Sequence, residues 1–182
     1  MNATFYAPSG MVASADHLAS SAGVEILRRG GGAADAAIAA NAVLAVTAPH
    51  LCGMGGDLFA LVHRGVGPPT ALNASGRAGA GAKADRLRRE GRFEMPLRGD
   101  IRSVTVPGCV DGWLTLHERY GRLPLSKVFA AAIGYAEDGF GASPLLVRAR
   151  PVIDESPGAV DLWAAAVPGA RVRRPGVARA LR

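Results

Sequence analysis

Ser75, Gly76 and Arg77 are the residues of this chain whose types and spacing are best suited to chemistry. A hydroxyl and a guanidinium stand two residues apart at the predicted end of a strand, where functional side chains often lie. A guanidinium can bind a carboxylate through two parallel hydrogen bonds. The same three residues also make an ordinary polar turn. Because no G-x-S-x-G motif accompanies them, the residues alone favour the turn.

Thiol and metal chemistry have weaker support. Cys52 and Cys109 each lie beside a glycine in apolar surroundings, which predicts small buried hydrophobic residues. A bridge between them, a metal site and a nucleophilic thiol are the alternatives. The four histidines are scattered, and no Cys-x-x-Cys occurs. We therefore expect no metal and no cofactor.

Two glycine clusters, at residues 30–32 and 53–56, raise the possibility of phosphate binding. A dinucleotide fingerprint needs its glycines after a strand and before a helix. The second cluster instead follows a helix and precedes a strand, and no G-K-[ST] occurs, so nucleotide binding is disfavoured. The remaining interpretations are close packing of helix and strand backbones, or a loop near a substrate pocket.

Composition indicates a globular protein. Of 182 residues, 49 % are hydrophobic but only 5 % aromatic, so the core must consist mainly of Ala, Val, Leu and Ile. The net charge of +6 comes largely from arginines in a predicted surface helix and near residue 182. These arginines lack the interleaved aromatic residues that stack on bases, so a solvated basic face is favoured over nucleic-acid binding.

The first fourteen residues lack the basic start and the long apolar core of a signal peptide. No apolar run reaches the length that spans a membrane. A cytoplasmic location, with no membrane partner, is the resulting expectation. A periplasmic or secreted location is the alternative if the protein starts before residue 1.

Hydrophobic spacing and turn residues predict the elements. A short strand is expected at residues 11–13, followed by a helix to Arg29 capped by Asp16 or Ser14. An almost entirely apolar helix follows over residues 33–46, then a hairpin of strands 58–63 and 70–74. Further helices are predicted at 82–90, 111–120 and 128–137, the last capped by Ser126, then after Ser143-Pro144 and from Pro175.

Five sequence blocks, in this order, resemble those of the gamma-glutamyltranspeptidase family. They are spread over residues 28–140, and although each is weak alone, five in order are specific. The blocks are R-R-G-G-G-A-A-D-A-A at 28–37, L-A-V-T-A-P-H-L-C-G-M-G-G-D-L-F-A-L-V at 44–62, L-N-A-S-G-R-A-G-A at 72–80, S-V-T-V-P-G-C-V-D-G-W at 103–113, and the segment from Tyr120 to Phe140.

The resemblance implies an N-terminal-nucleophile hydrolase: an α/β (α+β) fold, here a helix-rich part of an αββα sandwich with a few strands. It also implies that residues 1–182 form a single partial domain, the front portion of a large subunit cut from a longer precursor. The nucleophile of the family is a threonine that opens a T-T-H block. None of the threonines here lies in that context, so we expect no catalytic residue in this segment, and no turnover without the missing small subunit or C-terminal portion.

One departure from the family bears on the substrate. The arginine that holds the substrate carboxylate in the family corresponds to Ser75 here, while Arg77 matches a second arginine of many relatives. The resemblance therefore implies that Arg77 and Ser75 line the substrate pocket. It implies a gamma-glutamyltransferase or glutathione hydrolase-like enzyme, which hydrolyses a gamma-glutamyl or related amide or transfers its acyl group. Gly32 and Gly79 replace the usual asparagine and proline. The alternative function is a non-catalytic binding or interaction module derived from the family.

Overall fold

A computed structural model describes residues 4–96, 100–154 and 158–182 of the chain. The chain divides into two compact units, one made of Met1–Gly53 with Leu116–Arg182 and the other of Met54–Thr115. The single partial domain predicted for residues 1–182 stays a prediction.

The fold is helix-rich α/β with few short strands, as predicted. Short 3-10 turns occupy Ile101–Ser103 and Ala159–Leu162. In chain order the helices and strands are α1 (His17–Arg28), α2 (Ala33–Thr47), β1 (Leu58–Val62), β2 (Thr70–Ala74), α3 (Ala84–Arg89), α4 (Cys109–Tyr120), α5 (Leu125–Val128), α6 (Ala130–Asp138), β3 (Phe140–Gly141), α7 (Pro144–Asp154), β4 (Arg171–Val172) and α8 (Pro175–Leu181).

Local sequence signals account for several element boundaries. Asp16 caps α1 by accepting a hydrogen bond from the Leu18 N–H at 2.8 Å. Ser143 caps α7 in the same way, through a 3.1 Å bond from the Leu146 N–H. The predicted hairpin is confirmed as an antiparallel pair with Leu58 opposite Ala74 and Val62 opposite Thr70.

Two expectations about elements were wrong. Residues 11–13 pair with no strand in the described part of the chain, and Val12 packs instead beside Gly23 of α1. Ser126 does not cap a helix, because it lies inside α5, which already begins after Pro124. The helix predicted at 128–137 corresponds to α6, and the short α5 that precedes it was not predicted.

The core of the first unit is built around α2. Its side chains are buried on almost every side, including Ile38, Val43 and Val46. Helices α1, α5 and α6 pack against it. At Gly23 the α1 backbone comes so near that a Cβ would lie 3.1 Å from the Ala36 carbonyl oxygen. Small side chains thus allow this aromatic-poor sequence to reach close packing.

Asp35 joins the start of α2 to the turn that follows α4. Its side chain is fully buried. Oδ2 accepts hydrogen bonds from the Gly32 N–H at 2.8 Å and the Arg122 N–H at 3.0 Å. The first bond stabilises the helix start, where Gly32 itself has no side chain to act as a cap. The carboxyl group therefore stabilises both the N-terminus of α2 and the turn after α4, which lies far away in sequence.

We expect Asp35→Ala to lower the free energy of unfolding by about 3 kcal/mol, because it leaves two backbone donors without their acceptor. Asp35→Asn keeps one oxygen acceptor and should cost about half as much. Urea unfolding of both variants measures this. Equal stability of Asp35→Ala and the parent chain would contradict the role given to Asp35.

Two side chains with buried polar atoms, those of Arg174 and His50, lie near the C-terminal end of α2. Arg174 donates from Nη1 to the carbonyl oxygens of Ala45 at 2.8 Å and Val46 at 3.2 Å, where a cation is favoured by the helix dipole. Burial lowers the pKa of Arg174. Both ring nitrogens of His50 are buried, without a hydrogen-bond partner in the described part of the chain.

His50 should make stability depend on pH. Burial lowers its pKa, and the Asp16 carboxylate partly opposes that effect. Because the folded chain binds this proton less tightly than the unfolded chain, the free energy of unfolding should fall as pH drops below the ordinary value of 6.5. We expect His50→Gln to reduce this fall. Urea unfolding between pH 5 and pH 7.5 tests it, and identical pH slopes in the two proteins would contradict it.

Candidate functional site

The turn Ser75-Gly76-Arg77 lies directly after β2, in the second unit. The Asn73 side chain shapes it, because Oδ1 accepts a hydrogen bond from the Ser75 N–H at 3.0 Å. Gly76 has a φ of 80°, a conformation that side chains with a Cβ rarely adopt. The chain therefore leaves the sheet abruptly between Ser75 and Arg77. Ser75 is half-buried, and Arg77 is exposed.

A second segment, leading into α4, runs beside this turn. The Val106 N–H donates to the Arg77 carbonyl oxygen at 2.9 Å, and Thr105 Oγ1 donates to the Ser75 carbonyl oxygen at 3.3 Å. The two backbones are so close that a Cβ on Gly76 would lie 2.0 Å from the Val106 carbonyl oxygen. The turn is thus held by backbone from some thirty residues away, a long-range pairing that sequence reasoning missed.

The start of α4 completes the arrangement. The N–H groups of Gly108 and Cys109 both donate to the Gly56 carbonyl oxygen at 3.0 Å, so these donors are already used and do not form a phosphate cradle. A Cβ on Gly108 would lie 2.1 Å from the Ala74 carbonyl oxygen. The backbone of Gly56, the end of β2 and the start of α4 are therefore in direct contact.

Close packing does not explain every glycine of the cluster at 53–56. A Cβ on Gly53 or Gly55 would meet no heavy atom of the described residues within 4 Å. Neither glycine has a positive φ. The packing interpretation is therefore wrong at these two positions.

Arg77 and Arg102 of the second unit differ in whether their guanidinium groups are paired with carboxylates. Arg102 pairs with both oxygens of Asp100, with Nη2 at 2.6 Å from Oδ2, and it also pairs with Glu90. Hydrogen bonds from Arg102 lower the pKa of both carboxyl groups. The Arg77 guanidinium, in contrast, makes no hydrogen bond or ion pair with the described residues. It is a cation available to a ligand.

Other regions offer less chemistry. A groove of about 600 Å³ in the first unit is lined by residues 9–14 and parts of α1 and α2, and no charged side chain lines it. Cys52 and Cys109 form no disulfide within the described residues. Cys109 is buried as predicted, and burial raises the pKa of the half-buried Cys52 thiol.

Within the described ranges, no three His, Cys, Asp or Glu side chains are grouped to hold a metal. None of the helices in those ranges has the length and apolar character of a membrane span.

Comparison with known proteins decides the family. The sequence profile named Gamma-glutamyltranspeptidase matches residues 19–182, nearly the whole chain. The chain belongs to the gamma-glutamyltranspeptidase family. The resemblance of the five sequence blocks is thereby confirmed.

Curated members of the gamma-glutamyltranspeptidase family show sequence similarity over most or all of the chain. The glutathione hydrolase-like YwrD proenzyme of Bacillus subtilis is 43 % identical over 79 % of the chain. The oxamate amidohydrolase proenzyme of Klebsiella pneumoniae is 37 % identical over all of it. The chain spans 27 % of the first relative and 37 % of the second. Both are named as enzymes made in precursor form.

Solved structures of the family share the fold. The gamma-glutamyltranspeptidase of Pseudomonas nitroreducens, complexed with L-DON, matches with a TM-score of 0.84 and 30 % identity. That match covers 97 % of this chain and 54 % of the other. The cephalosporin acylase of Bacillus halodurans matches with a TM-score of 0.76 and 32 % identity, over 99 % of this chain and 39 % of the other. The predicted fold class is confirmed.

Proposed function

We propose that this chain provides the carboxylate-binding part of an amide-cleaving enzyme of the gamma-glutamyltranspeptidase family. The observation that carries the proposal is the exposed Arg77 guanidinium on a turn whose backbone is held by Asn73, Thr105 and Val106. A guanidinium without a protein partner, on a fixed backbone, is suited to a carboxylate. The half-buried Ser75 adds a hydroxyl beside it.

The proposed substrate is a small amide that carries a carboxylate. Ser75 stands where the family usually has its carboxylate-binding arginine, so in this chain the role passes to Arg77, two residues further on. This displacement favours a substrate other than a gamma-glutamyl compound. The relative that matches the full length of the chain is named for an amidohydrolase of oxamate, an amide with an adjacent carboxylate.

The reaction follows from the family's nucleophile, a threonine that would lie outside residues 1–182. Its hydroxyl oxygen attacks the amide carbonyl carbon, and its own α-amine accepts the hydroxyl proton. The C–N bond breaks, and the leaving amine or ammonia takes up a proton. Water then attacks the resulting ester, which releases the acid and restores the threonine hydroxyl. Arg77 and Ser75 would hold the carboxylate throughout and transfer no proton.

The coding sequence after codon 182 is the first test. An in-frame continuation of about 300 residues or more, well beyond one domain, with a T-T-H block supports the proposal. A stop codon with no companion subunit gene nearby would contradict it and leave the non-catalytic binding module.

Amide cleavage by the complete protein is the second test, measured as released ammonia or, for glutathione, which yields no ammonia, as released cysteinylglycine. Oxamate, its neutral analogue oxamide and glutathione are compared as substrates. Faster turnover of oxamate than of the other two supports a small anionic amide. Preferred cleavage of glutathione would return the substrate to the gamma-glutamyl class.

A further inference from the structure

The backbone of Ser75 is held on both sides by side chains. Asn73 Oδ1 accepts from its N–H at 3.0 Å, and Thr105 Oγ1 donates to its carbonyl oxygen at 3.3 Å. Asn73 and Thr105 are both exposed, and Ser75 is only half-buried. Water could therefore satisfy the same backbone groups. These bonds accordingly do more than compensate for burial: they select one orientation of the Ser75 peptide groups.

Asn73 lies within a strand, where β-branched and aromatic residues are usually favoured. It is the fourth residue of β2 and lies opposite Phe59 in the hairpin register. Asparagine is disfavoured in strands but hydrogen-bonds the backbone two residues onward, which imitates a turn. Here the Asn73 side chain bonds Ser75, the residue immediately before Gly76, whose φ is 80°. The side chain of Asn73 thus directs the chain out of the sheet and into the turn.

We propose that Asn73 is a positioning residue for carboxylate recognition by Ser75 and Arg77, an inference that rests on the proposed function. Bidentate recognition requires donor groups to be held within about 0.5 Å and 10–20° of the productive geometry. Asn73 fixes the start of the turn, and the Val106 N–H fixes its end at the Arg77 carbonyl oxygen, at 2.9 Å. Asn73 itself makes no contact with the substrate carboxylate in this scheme.

The test uses the complete protein, with oxamate as the probe and oxamide as its neutral counterpart. Asn73→Leu removes the acceptor, whereas Asn73→Ser keeps a neutral side-chain oxygen that can accept the same bond, more weakly. Thr70→Leu, an exposed position at the other end of β2, controls for a leucine on this strand. Arg77→Met removes the cation. The KM for each amide reports its binding, and amide hydrogen exchange, measured by mass spectrometry on the peptide that contains Ser75, reports the Ser75 hydrogen bond.

We expect Asn73→Leu to weaken oxamate binding about tenfold, as loss of geometry at a charge-assisted pair should, and to speed exchange of the Ser75 amide. Asn73→Ser should keep that amide partly protected and restore part of the affinity. Thr70→Leu should bind as the parent chain does. The unfolding midpoint should not change in any of the three, because both positions are exposed.

The outcomes separate the two proposals. If Arg77→Met loses oxamate binding while Asn73→Leu keeps it, the positioning role is overturned and the proposed function stands. If Asn73→Ser loses as much affinity as Asn73→Leu, the acceptor oxygen is not what matters, and the positioning role is again overturned. If the parent chain binds oxamate no better than oxamide, or Arg77→Met binds normally, carboxylate recognition by this turn fails, and the positioning role fails with it.

Discussion

Arg77→Met is expected to raise the KM for an anionic amide about a hundredfold in the complete enzyme, the loss that two charge-assisted hydrogen bonds predict. The Arg77 guanidinium makes no bond with the described residues, so its removal leaves no group of the free protein unsatisfied. Stability should therefore be unchanged. The KM for a neutral amide should change little, because that substrate has no carboxylate to bind.

Two further variants sharpen the Arg77 experiment. Arg77→Lys keeps the charge but loses the planar fork, and we expect an intermediate increase in KM of about tenfold. Arg64→Met removes a different exposed arginine of the same unit, after β1 and at the opposite end of the hairpin, so it controls for net charge. A similar rise in KM for Arg64→Met, or an equal rise for anionic and neutral amides with Arg77→Met, would refute carboxylate binding by Arg77.

Gly76→Ala is expected to lower the free energy of unfolding by about 3 kcal/mol or more, since a non-glycine residue at strained φ already costs about 1–3 kcal/mol. The second cause is steric. The new Cβ would lie 2.0 Å from the Val106 carbonyl oxygen, and that atom belongs to backbone, which cannot rotate away as a side chain can. The turn and the segment before α4 must separate, and the bond between Val106 and Arg77 breaks.

Gly79→Ala is the matched control for Gly76→Ala. It lies three residues further along, has no positive φ, and its Cβ would meet no heavy atom of the described residues within 4 Å. We expect a neutral effect or a gain of about 0.4–1 kcal/mol from the stiffer unfolded chain. Urea unfolding of both variants decides. Equal stabilities would mean that the turn can open without cost, and the fixed backbone on which the site depends would have to be abandoned.

Much of the fold follows from local signals. The apolar pattern of residues 33–46 predicted α2, and the turn residues between two apolar runs predicted the hairpin, because each signal acts over a few residues. The same local reasoning failed at residues 11–13. An apolar run becomes a strand only if another strand pairs with it, and none in the described part of the chain does so.

The candidate site, too, was only partly predictable from local sequence. Its place at the end of a strand could be predicted from Ser75-Gly76-Arg77, and the Asn73 bond could have been found, since asparagine commonly hydrogen-bonds two residues ahead. The contacts of Thr105 and Val106 with the turn could not. They join residues about thirty positions apart, and no local pattern specifies which backbone passes beside Gly76.

Residue types alone thus indicated most of the helices, the hairpin, the caps at Asp16 and Ser143 and the presence of a cation near a strand end. Propensity and hydrogen bonding over a few residues are sufficient for these. Tertiary structure alone decided that Arg102 is neutralised by Asp100 while Arg77 stays available, and that Gly76 and Gly108 must lack side chains. Those outcomes depend on which distant groups come within a few ångströms, and only the folded chain determines such distances.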